Sequence, residues 1–230
     1  MTKASVILTS YNKPLYLERA ISSVLNQTYD DVELIVGDDN SSNKFVHEIL
    51  EKYKTHPKIK CFNTHVEEKN RRLTARYATV INQAVTKYSE GDFIFYLADD
   101  DFYYPNMVKN MIEFSLKAKK EVCFCPEQIV NSDGSLGGVR FFDHILYKAS
   151  NILDHNQVMS TRNAWYAANG WNDSPHCWGN ADAYFWDRLS AIGYYFYPID
   201  DHSPLCAKMY RQHSVQWNLS NGHDPWYGTV

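Results

Sequence analysis

Polar clusters that include several carboxylates follow three apolar runs of this chain. The clusters are TSYN at residues 9–12, DDNS at 38–41 and DDD at 99–101. Carboxylates that lie close together repel one another, so a cation or a ligand rich in N–H and O–H groups should lie among them. A divalent metal with a phosphate ligand, together with a sugar or a base, would satisfy such a site.

The apolar runs before these clusters indicate how the clusters are positioned. Residues 5–8, 32–36 and 93–97 are rich in β-branched and aromatic side chains, which is typical of buried parallel strands. In an open α/β sheet, ligands bind outside the carboxyl ends of the strands. The sequence therefore predicts that the polar clusters meet in one crevice.

Helical patterns separate the predicted strands. Pro14 stands where a first helix would begin, and Leu17 and Ile21 start an apolar face of helical spacing. The same spacing recurs in three later segments, at residues 46–53, 77–88 and 108–116. The alternation over residues 4–119 predicts an α/β fold with a mostly parallel, doubly wound sheet.

The pattern changes after residue 120. Strand-like segments at 122–126 and 157–161 and a helix over 183–189, with Asp182 at its start, predict a smaller mixed region. From about residue 200 the chain has no periodicity, which predicts a loop packed over the site.

Composition limits the classes of function. The chain has 230 residues and a formal net charge of −4, which argues against a general polyanion-binding surface. No apolar stretch approaches the roughly 18–20 residues of a membrane span, and no signal-peptide pattern precedes the first strand. Five scattered cysteines, an odd number, favour reduced thiols and hence a cytoplasmic location.

All six tryptophans lie in the last third of the chain. Two interpretations of this bias stay open. The rings could build a small core for a loop-rich second half, or one or two of them could line a sugar-acceptor cleft.

The motifs, taken together, resemble those of the family 2 glycosyltransferases of GT-A fold. The resemblance rests on the order and spacing of segments at residues 9–12, 22–28, 36–41 and 97–101. Supporting segments lie at residues 71, 76–77, 81–84, 154–155, 158–159 and 182–186. The resemblance covers roughly residues 3–200. It implies a single domain in which residues 1–120 bind the nucleotide-sugar and residues 121–230 form the acceptor side and a C-terminal loop region.

The resemblance implies a nucleotide pocket at the ends of the first two strands. Thr9 and Tyr11 would line a uridine pocket, with Tyr11 partly stacked on the base. Asp39 would accept a hydrogen bond from uracil N3–H, and Asp38 is the neighbouring alternative because the doublet leaves the register open. Arg71 would approach the base or the phosphates as a permanent cation.

The aspartate triplet takes the place of the family's D-x-D motif. Aligned by Pro105, Asp100 would bind the metal, Mn²⁺ or Mg²⁺, and Asp99 would contact the ribose. Ala98 stands where the first aspartate of the motif often falls, which departs from the usual pattern. A solvated turn or helix cap is the alternative for such a triplet, but its position at the end of an apolar strand favours a functional role.

Asp182 matches the family's catalytic base, which takes the proton of the acceptor hydroxyl as that oxygen attacks C1 of the sugar. The alternative is that Asp182 only caps the helix that follows it. Asp154 and His155 would contact donor or acceptor hydroxyls, although a structural histidine is equally open for His155. His213 lies in a segment that would close over the diphosphate or the metal.

The implied function is a metal-dependent, inverting transfer of a hexose from a UDP- or dTDP-sugar to an acceptor hydroxyl, in bacterial surface or spore-coat polysaccharide synthesis. The partners would be a nucleotide-sugar donor and a saccharide or other hydroxyl acceptor, with no nucleic acid. A sugar-phosphate nucleotidyltransferase is an alternative, but it would have a Gly-rich, Arg-containing loop where this chain has residues 9–12. A catalytically inactive nucleotide-sugar-binding module is disfavoured because all the matched aspartates are present.

Overall fold

The computed structural model describes residues 2–210. Its first half alternates strands and helices, as the sequence predicts. The strands are β1 (Ala4–Ser10), β2 (Val32–Asp38), β3 (Ile59–Asn63), β4 (Phe93–Ala98) and β5 (Phe102–Tyr103). The helices are α1 (Pro14–Leu25), α2 (Lys44–Tyr53), α3 (Arg76–Gln83) and α4 (Met107–Ala118), with a 3₁₀ turn at Glu68–Leu73.

The second half contains shorter elements. Its strands are β6 (Val122–Phe124), β7 (Glu127–Val130), β8 (Leu136–Arg140), β9 (Val158–Thr161), β10 (Tyr197–Pro198) and β11 (Cys206–Met209). Its helices are α5 (Arg162–Ala167) and α6 (Ala181–Ala191), with 3₁₀ turns at His155–Gln157 and Pro175–Cys177.

A seven-stranded sheet in the order β10-β6-β9-β4-β1-β2-β3 presents the polar clusters at one edge. Strand β1 pairs in parallel with both β2 and β4, so Ser10 lies opposite Asp38 and Thr9 lies opposite Ala98. Strand β9 runs antiparallel between β4 and β6. The prediction of a mostly parallel, doubly wound sheet is confirmed.

Both faces of this sheet are covered, which explains the uninterrupted apolar runs. Val6 and Leu8 pack in one core cluster, whereas Ile7 between them packs in the other. A strand with a core on each side has no solvent face to carry polar residues.

A second sheet, in the order β5-β11-β7-β8, packs residues from the chain's last third beside the site. Strand β11 pairs in parallel with β7 and antiparallel with β5. The prediction of a loop from about residue 200 is therefore wrong for residues 206–209. This short strand has no alternating pattern of its own, and its pairing with distant residues decides its conformation.

Smaller differences concern the ends of elements. The helix predicted over 77–88 ends as α3 at Gln83 and continues as a single π-helical turn at Ala84–Tyr88. Strand β6 ends at Phe124, two residues before the predicted end. All five cysteines are free thiols, as the sequence predicts.

The described tryptophans differ in their surroundings. Trp165, Trp171 and Trp186 are buried in the core, whereas Trp178 lines the pocket described below. The remaining two, Trp217 and Trp226, lie outside the described residues. Within residues 2–210, no helix combines the length and apolar character that crossing a bilayer requires.

Candidate active site

A pocket opens at the ends of β1, β2 and β4 and collects most of the predicted site residues. Those that line it are Thr9, Tyr11, Asp39, Arg71, Asp99, Asp100, Asp154, His155 and Asp182. Asp38 does not line it, and His213 lies outside the described residues. The pocket thus brings together side chains from both halves of the chain.

Two asparagines shape the loops that follow β1 and β2. Asn12 and Asn40 adopt left-handed backbone conformations, with φ of 53° and 59°, which asparagine tolerates better than most residues. The backbone N–H of Asn12 donates to Ser41 Oγ at 3.0 Å, and its side-chain oxygen accepts from the N–H of Ser42 at 3.0 Å. These bonds tie the loop after β1 to the loop after β2.

Asp38 is used inside its own loop, which corrects its prediction as a nucleotide-binding alternative. Its carboxylate accepts from the Ser41 hydroxyl at 2.5 Å and from Asn63 Nδ2 at 2.8 Å. Burial raises the pKa of Asp38, while the Ser41 donors act in the opposite direction. The carboxylate that faces the pocket is that of Asp39.

Asp39 forms a buried ion cluster with two arginines. Its carboxylate accepts from Arg71 Nη2 at 2.7 Å, from Arg76 Nη2 at 2.5 Å and from Thr64 Oγ1 at 2.8 Å. Only 4% of Asp39, 5% of Arg71 and 7% of Arg76 are exposed. Removing the Asp39 carboxylate would leave two buried guanidinium groups without their anion.

Gly37 allows α3 to approach the end of β2 closely enough for this cluster to form. A Cβ at Gly37 would overlap Cγ1 of Val80 on α3 and would lie 2.7 Å from Cζ of Phe62. Because α3 begins at Arg76, the absence of a side chain at Gly37 lets this guanidinium reach Asp39.

Tyr11 connects the arginine cluster to the aspartate triplet. The Arg71 guanidinium lies 3.6 Å from the centre of the Tyr11 ring, in a cation–π contact. The backbone N–H of Tyr11 donates to Asp99 Oδ2 at 2.9 Å. The loop after β1 therefore fixes the orientation of the Asp99 carboxylate.

The amino group of Lys13 lies between two of the triplet's carboxylates. Its Nζ is 3.2 Å from Asp99 Oδ1 and 2.9 Å from Asp100 Oδ2. Arg19 Nη2 donates to the backbone carbonyl of Asp100 at 2.7 Å. Two hard oxygen donors that already gather around one cation fit a divalent metal as well. Among the described residues, no group of three or more His, Cys, Asp and Glu is arranged to hold a metal, so further ligands would come from nucleotide and water.

Asp154 and His155 line the pocket from the second half of the chain. Asp154 forms a salt bridge with Lys208, and its Oδ1 lies 3.5 Å from Nδ1 of His155. Burial alone would raise the pKa of Asp154, but Lys208 and His155 outweigh it and hold this pKa well below its usual range. Burial lowers the pKa of His155, which favours the neutral imidazole.

Two further buried carboxyl groups lie near this pair. Asp101 accepts from Asn156 Nδ2 at 2.6 Å and from the backbone N–H of Met209 at 2.7 Å, and burial raises its pKa to about 6. Burial raises the pKa of Glu127 to about 8, although Arg140 Nη1 lies 3.2 Å from its Oε2. Carboxyl groups therefore outnumber cations around the Asp154–Lys208 pair.

Asp182 is the second residue of α6, and Asn180 occupies the N-cap position, so Asp182 is not the cap. Its carboxylate accepts from the N–H of Ala183 at 2.8 Å. Burial raises the pKa of Asp182, while His155 acts in the opposite direction. A carboxylate with a raised pKa is a stronger base, which suits proton abstraction.

Tyr77 supplies the acceptor that the start of α6 needs. Its hydroxyl oxygen accepts from the N–H of Ala181 at 2.6 Å. Within the part of the chain that the structure describes, the Asn180 side chain makes no capping hydrogen bond. Because Tyr77 follows Arg76, consecutive residues of α3 contact Asp39 and the helix that bears Asp182.

Several pocket residues have no role predicted from the sequence: Lys13, Arg76, Tyr77 and Lys208. Lys13 directly follows the TSYN cluster, and the two α3 residues belong to a motif of the resemblance, so each has a local indication. Lys208 has none, because only the pairing of β11 brings it to the site.

Known proteins resemble this chain in sequence. The family model described as Glycosyl transferase family 2 matches residues 5–189. Protein CgeD of Bacillus subtilis (strain 168) is 37% identical over 198 residues, which are 82% of this chain and 46% of CgeD. The chain thus spans less than half the length of this relative.

Solved structures show the same fold. TarS of S. aureus in complex with UDP has a TM-score of 0.73 and 16% identity, covering 90% of this chain and 60% of TarS. The mannosyltransferase PcManGT from Pyrobaculum calidifontis, in complex with GDP-Man and Mn²⁺, has a TM-score of 0.68 and 13% identity, covering 96% and 61%. The predicted GT-A fold is confirmed.

Proposed function

The chain belongs to glycosyl transferase family 2, and from this premise we propose that it transfers a hexose from a UDP- or dTDP-sugar to an acceptor hydroxyl with inversion. The observation that supports this best is the single pocket that joins Asp39, the Asp99–Asp100 pair and Asp182. These side chains provide a nucleotide contact, a cation site and a base within one cavity.

The nucleotide would bind at the arginine cluster. Arg71 and Arg76 hold the Asp39 carboxylate in one orientation, with its oxygens as acceptors. Uracil and thymine present an N–H at N3, whereas cytosine presents a lone pair that such a carboxylate repels. TarS, which shares this fold, is known in complex with UDP-GlcNAc as well as UDP, and this supports a uridine donor.

A divalent metal, Mn²⁺ or Mg²⁺, would be held by Asp100 with Asp99 beside it. Such an ion would stabilise the negative charge of the departing diphosphate. The Mn²⁺ in the complex of PcManGT supports this assignment.

Asp182 would take the proton of the acceptor hydroxyl as its oxygen attacks C1 of the donor sugar. One bond forms from the acceptor oxygen to C1, and the bond from C1 to the diphosphate oxygen breaks. Nearby, the Asp154–Lys208 pair and His155 offer a carboxylate, an ammonium and an imidazole to sugar hydroxyls. We propose a saccharide hydroxyl as the acceptor, as in the synthesis of a bacterial surface or spore-coat polysaccharide.

The test is a thermal-shift and calorimetry panel of UDP, dTDP and CDP with Mn²⁺, followed by UDP release from UDP-hexoses with varied saccharide acceptors. A ligand of the folded state raises the unfolding midpoint according to its concentration over Kd. UDP and dTDP should bind tightly and CDP weakly, because an unpaired buried polar group discriminates by factors of up to about 10⁴. CDP binding equal to that of UDP would contradict the contact assigned to Asp39, and no acceptor-dependent UDP release would contradict the transfer.

A further inference from the structure

Lys13 occupies the point where the proposed site would bind its cation. Its Nζ lies 3.2 Å from Asp99 Oδ1 and 2.9 Å from Asp100 Oδ2. The two carboxylate side chains are only 4% and 10% exposed, whereas that of Lys13 is 29% exposed. Two adjacent carboxylates that are shielded from water need a nearby positive charge. Lys13 contributes much of that charge.

The fold determines the position of this lysine. Lys13 is the last residue before α1, and its carbonyl accepts from the N–H groups of Tyr16 and Leu17, both at 3.3 Å. Its backbone is therefore fixed by the first turn of the helix. The Tyr11 N–H, two residues earlier, fixes Asp99. One short loop thus orients both the cation and one of its carboxylates.

We propose that Lys13 is an internal counter-ion of the Asp99–Asp100 pair, which a divalent metal must displace in order to bind. This inference rests on the proposed function, because the metal is the one that would accompany a nucleotide diphosphate. An ammonium and a metal ion cannot both occupy the space between the same two carboxylates. Their binding is therefore mutually exclusive at this point, and each weakens the other.

The competition has a consequence for the order of binding. A metal ion alone must break two ion pairs of Lys13, which lowers its affinity for the free protein. A metal that arrives with a diphosphate supplies phosphate oxygens with which the released ammonium can pair. Lys13 would therefore restrict metal binding to the nucleotide-bound state, and in the absence of metal it would shield the diphosphate from the carboxylates.

The first arm of the test is a Mn²⁺ titration without nucleotide, followed by the electron paramagnetic resonance signal of free Mn²⁺. Lys13→Met keeps most of the length of the side chain and removes its charge. This variant should bind Mn²⁺ about tenfold more tightly than the wild type, which corresponds to the loss of two modest ion pairs. Lys13→Arg keeps the charge and should resemble the wild type. Lys44→Met is the matched control, because Lys44 is an exposed lysine at the start of α2 that does not line the pocket.

The second arm measures UDP affinity by calorimetry in the presence of a chelator. Lys13→Met should bind UDP about tenfold more weakly than the wild type, because its carboxylates then repel the diphosphate without compensation. In Lys13→Met the affinity for Mn²⁺ should thus rise while the affinity for UDP falls. General damage to the pocket would not produce this combination. The thermal midpoint verifies folding, and Lys13→Gln replaces Lys13→Met should the latter fail to fold.

An unchanged Mn²⁺ affinity in Lys13→Met overturns the inference, and so does an unchanged metal-free UDP affinity. The Mn²⁺ arm requires no nucleotide, so it decides the role of Lys13 even if the chain transfers no sugar. Conversely, the wild type could bind and transfer normally while Lys13→Met equals it in both arms. That result would contradict only the role of Lys13 as a counter-ion.

Discussion

Asp39 and Asp182 line the same pocket from the two halves of the chain, and their electrostatic surroundings differ. Asp39 is held by Arg71 and Arg76 at 2.7 and 2.5 Å. Among the described residues, no lysine or arginine forms a salt bridge with Asp182, and burial raises its pKa. Asp39 is thus held by two cations, whereas Asp182 has no such partner among the described residues, and this difference supports the separate roles that we propose for them.

The same contrast extends to the neighbours of these two residues. On the nucleotide side, the Asp99–Asp100 pair has Lys13 as its cation. Asp101, the third residue of the triplet, and Glu127, on β7, are in contrast buried carboxyl groups with raised pKa values. Fixed ion pairs suit the recognition of a charged donor, whereas a carboxyl group with a raised pKa suits proton transfer, because its two protonation states are close in free energy near neutral pH.

The largest effect is expected from Asp182→Asn. The amide keeps the shape of the side chain but cannot take a proton, so transfer should fall by roughly 10²–10⁴-fold. UDP affinity and the thermal midpoint should stay near those of the wild type, because Asp182 has no salt bridge to lose within residues 2–210. Transfer is measured with a confirmed acceptor, and turnover close to that of the wild type would return Asp182 to a structural role.

The same substitution at the other carboxylate, Asp39→Asn, should have the opposite profile. It leaves the guanidinium groups of Arg71 and Arg76 buried without their anion, so the free energy of unfolding should fall by about 3–5 kcal/mol. UDP binding should fall as well. Denaturant titration measures the first effect and calorimetry the second, with Asp182→Asn as the matched control. Equal stabilities of the two variants would remove the contrast between the two sides.

The nucleotide side was predictable because its residues follow long strands. The uninterrupted apolar runs of β1, β2 and β4 indicate buried parallel strands, and chain order then brings residues 9–12, 38–41 and 99–101 to one edge. The choice between Asp38 and Asp39 was not predictable from the sequence, because either residue of a doublet can turn inward. It depends on Ser41 and Asn63, which bind Asp38 inside the loop.

The acceptor side was harder to predict for a physical reason. Strands β7 and β11 have four residues each, too few for a period to show, and their pairing joins segments far apart in the chain. Lys208 reaches Asp154 only through that pairing. Local pattern cannot report a contact that tertiary structure alone creates.

A smaller effect is expected from Tyr77→Phe, which tests the link between the two sides through α3. The variant removes the oxygen that accepts from the N–H of Ala181 at 2.6 Å. An unsatisfied buried N–H costs about 1–3 kcal/mol, so the start of α6 should loosen and stability should fall by that amount. The turnover number should fall by about tenfold or less as Asp182 loses its fixed position, with UDP affinity unchanged.

The matched control for this variant is Tyr88→Phe, in the π-helical turn that continues α3. Tyr88 stacks on Phe62 with ring centroids 4.5 Å apart, and its hydroxyl makes no side-chain hydrogen bond within the described residues. Tyr88→Phe should therefore behave as the wild type. A loss of UDP affinity in Tyr77→Phe would show instead that the Arg76 cluster is damaged, and the separation of the two sides would fail.

The smallest effect concerns pH and Glu127. Burial raises the pKa of Glu127 to about 8, with Asp154 adding to the shift and Lys208 and Arg140 opposing it. The unfolded chain has the ordinary value of 4.5, so between these two pH values the folded state holds a proton that the unfolded state has lost. The stabilising contribution of Glu127 is full below pH 4.5 and disappears as the pH rises through about 8. Over this range the free energy of unfolding falls by at most about 1.4 kcal/mol per pH unit.

Glu127→Gln removes this dependence because its amide is neutral at every pH. Between pH 6 and 8 the wild type should therefore lose about 1–2 kcal/mol more unfolding free energy than the variant. Asp101, with a pKa of about 6, also titrates near this range, but it is present in both proteins and its contribution largely cancels in the difference. Denaturant titrations of both proteins at pH 6, 7 and 8 measure this difference in unfolding free energy. Parallel curves for the two proteins would mean that Glu127 is ionised in the folded state throughout, with Arg140 at 3.2 Å as an effective partner, and the acceptor side would then be as fully ion-paired as the nucleotide side.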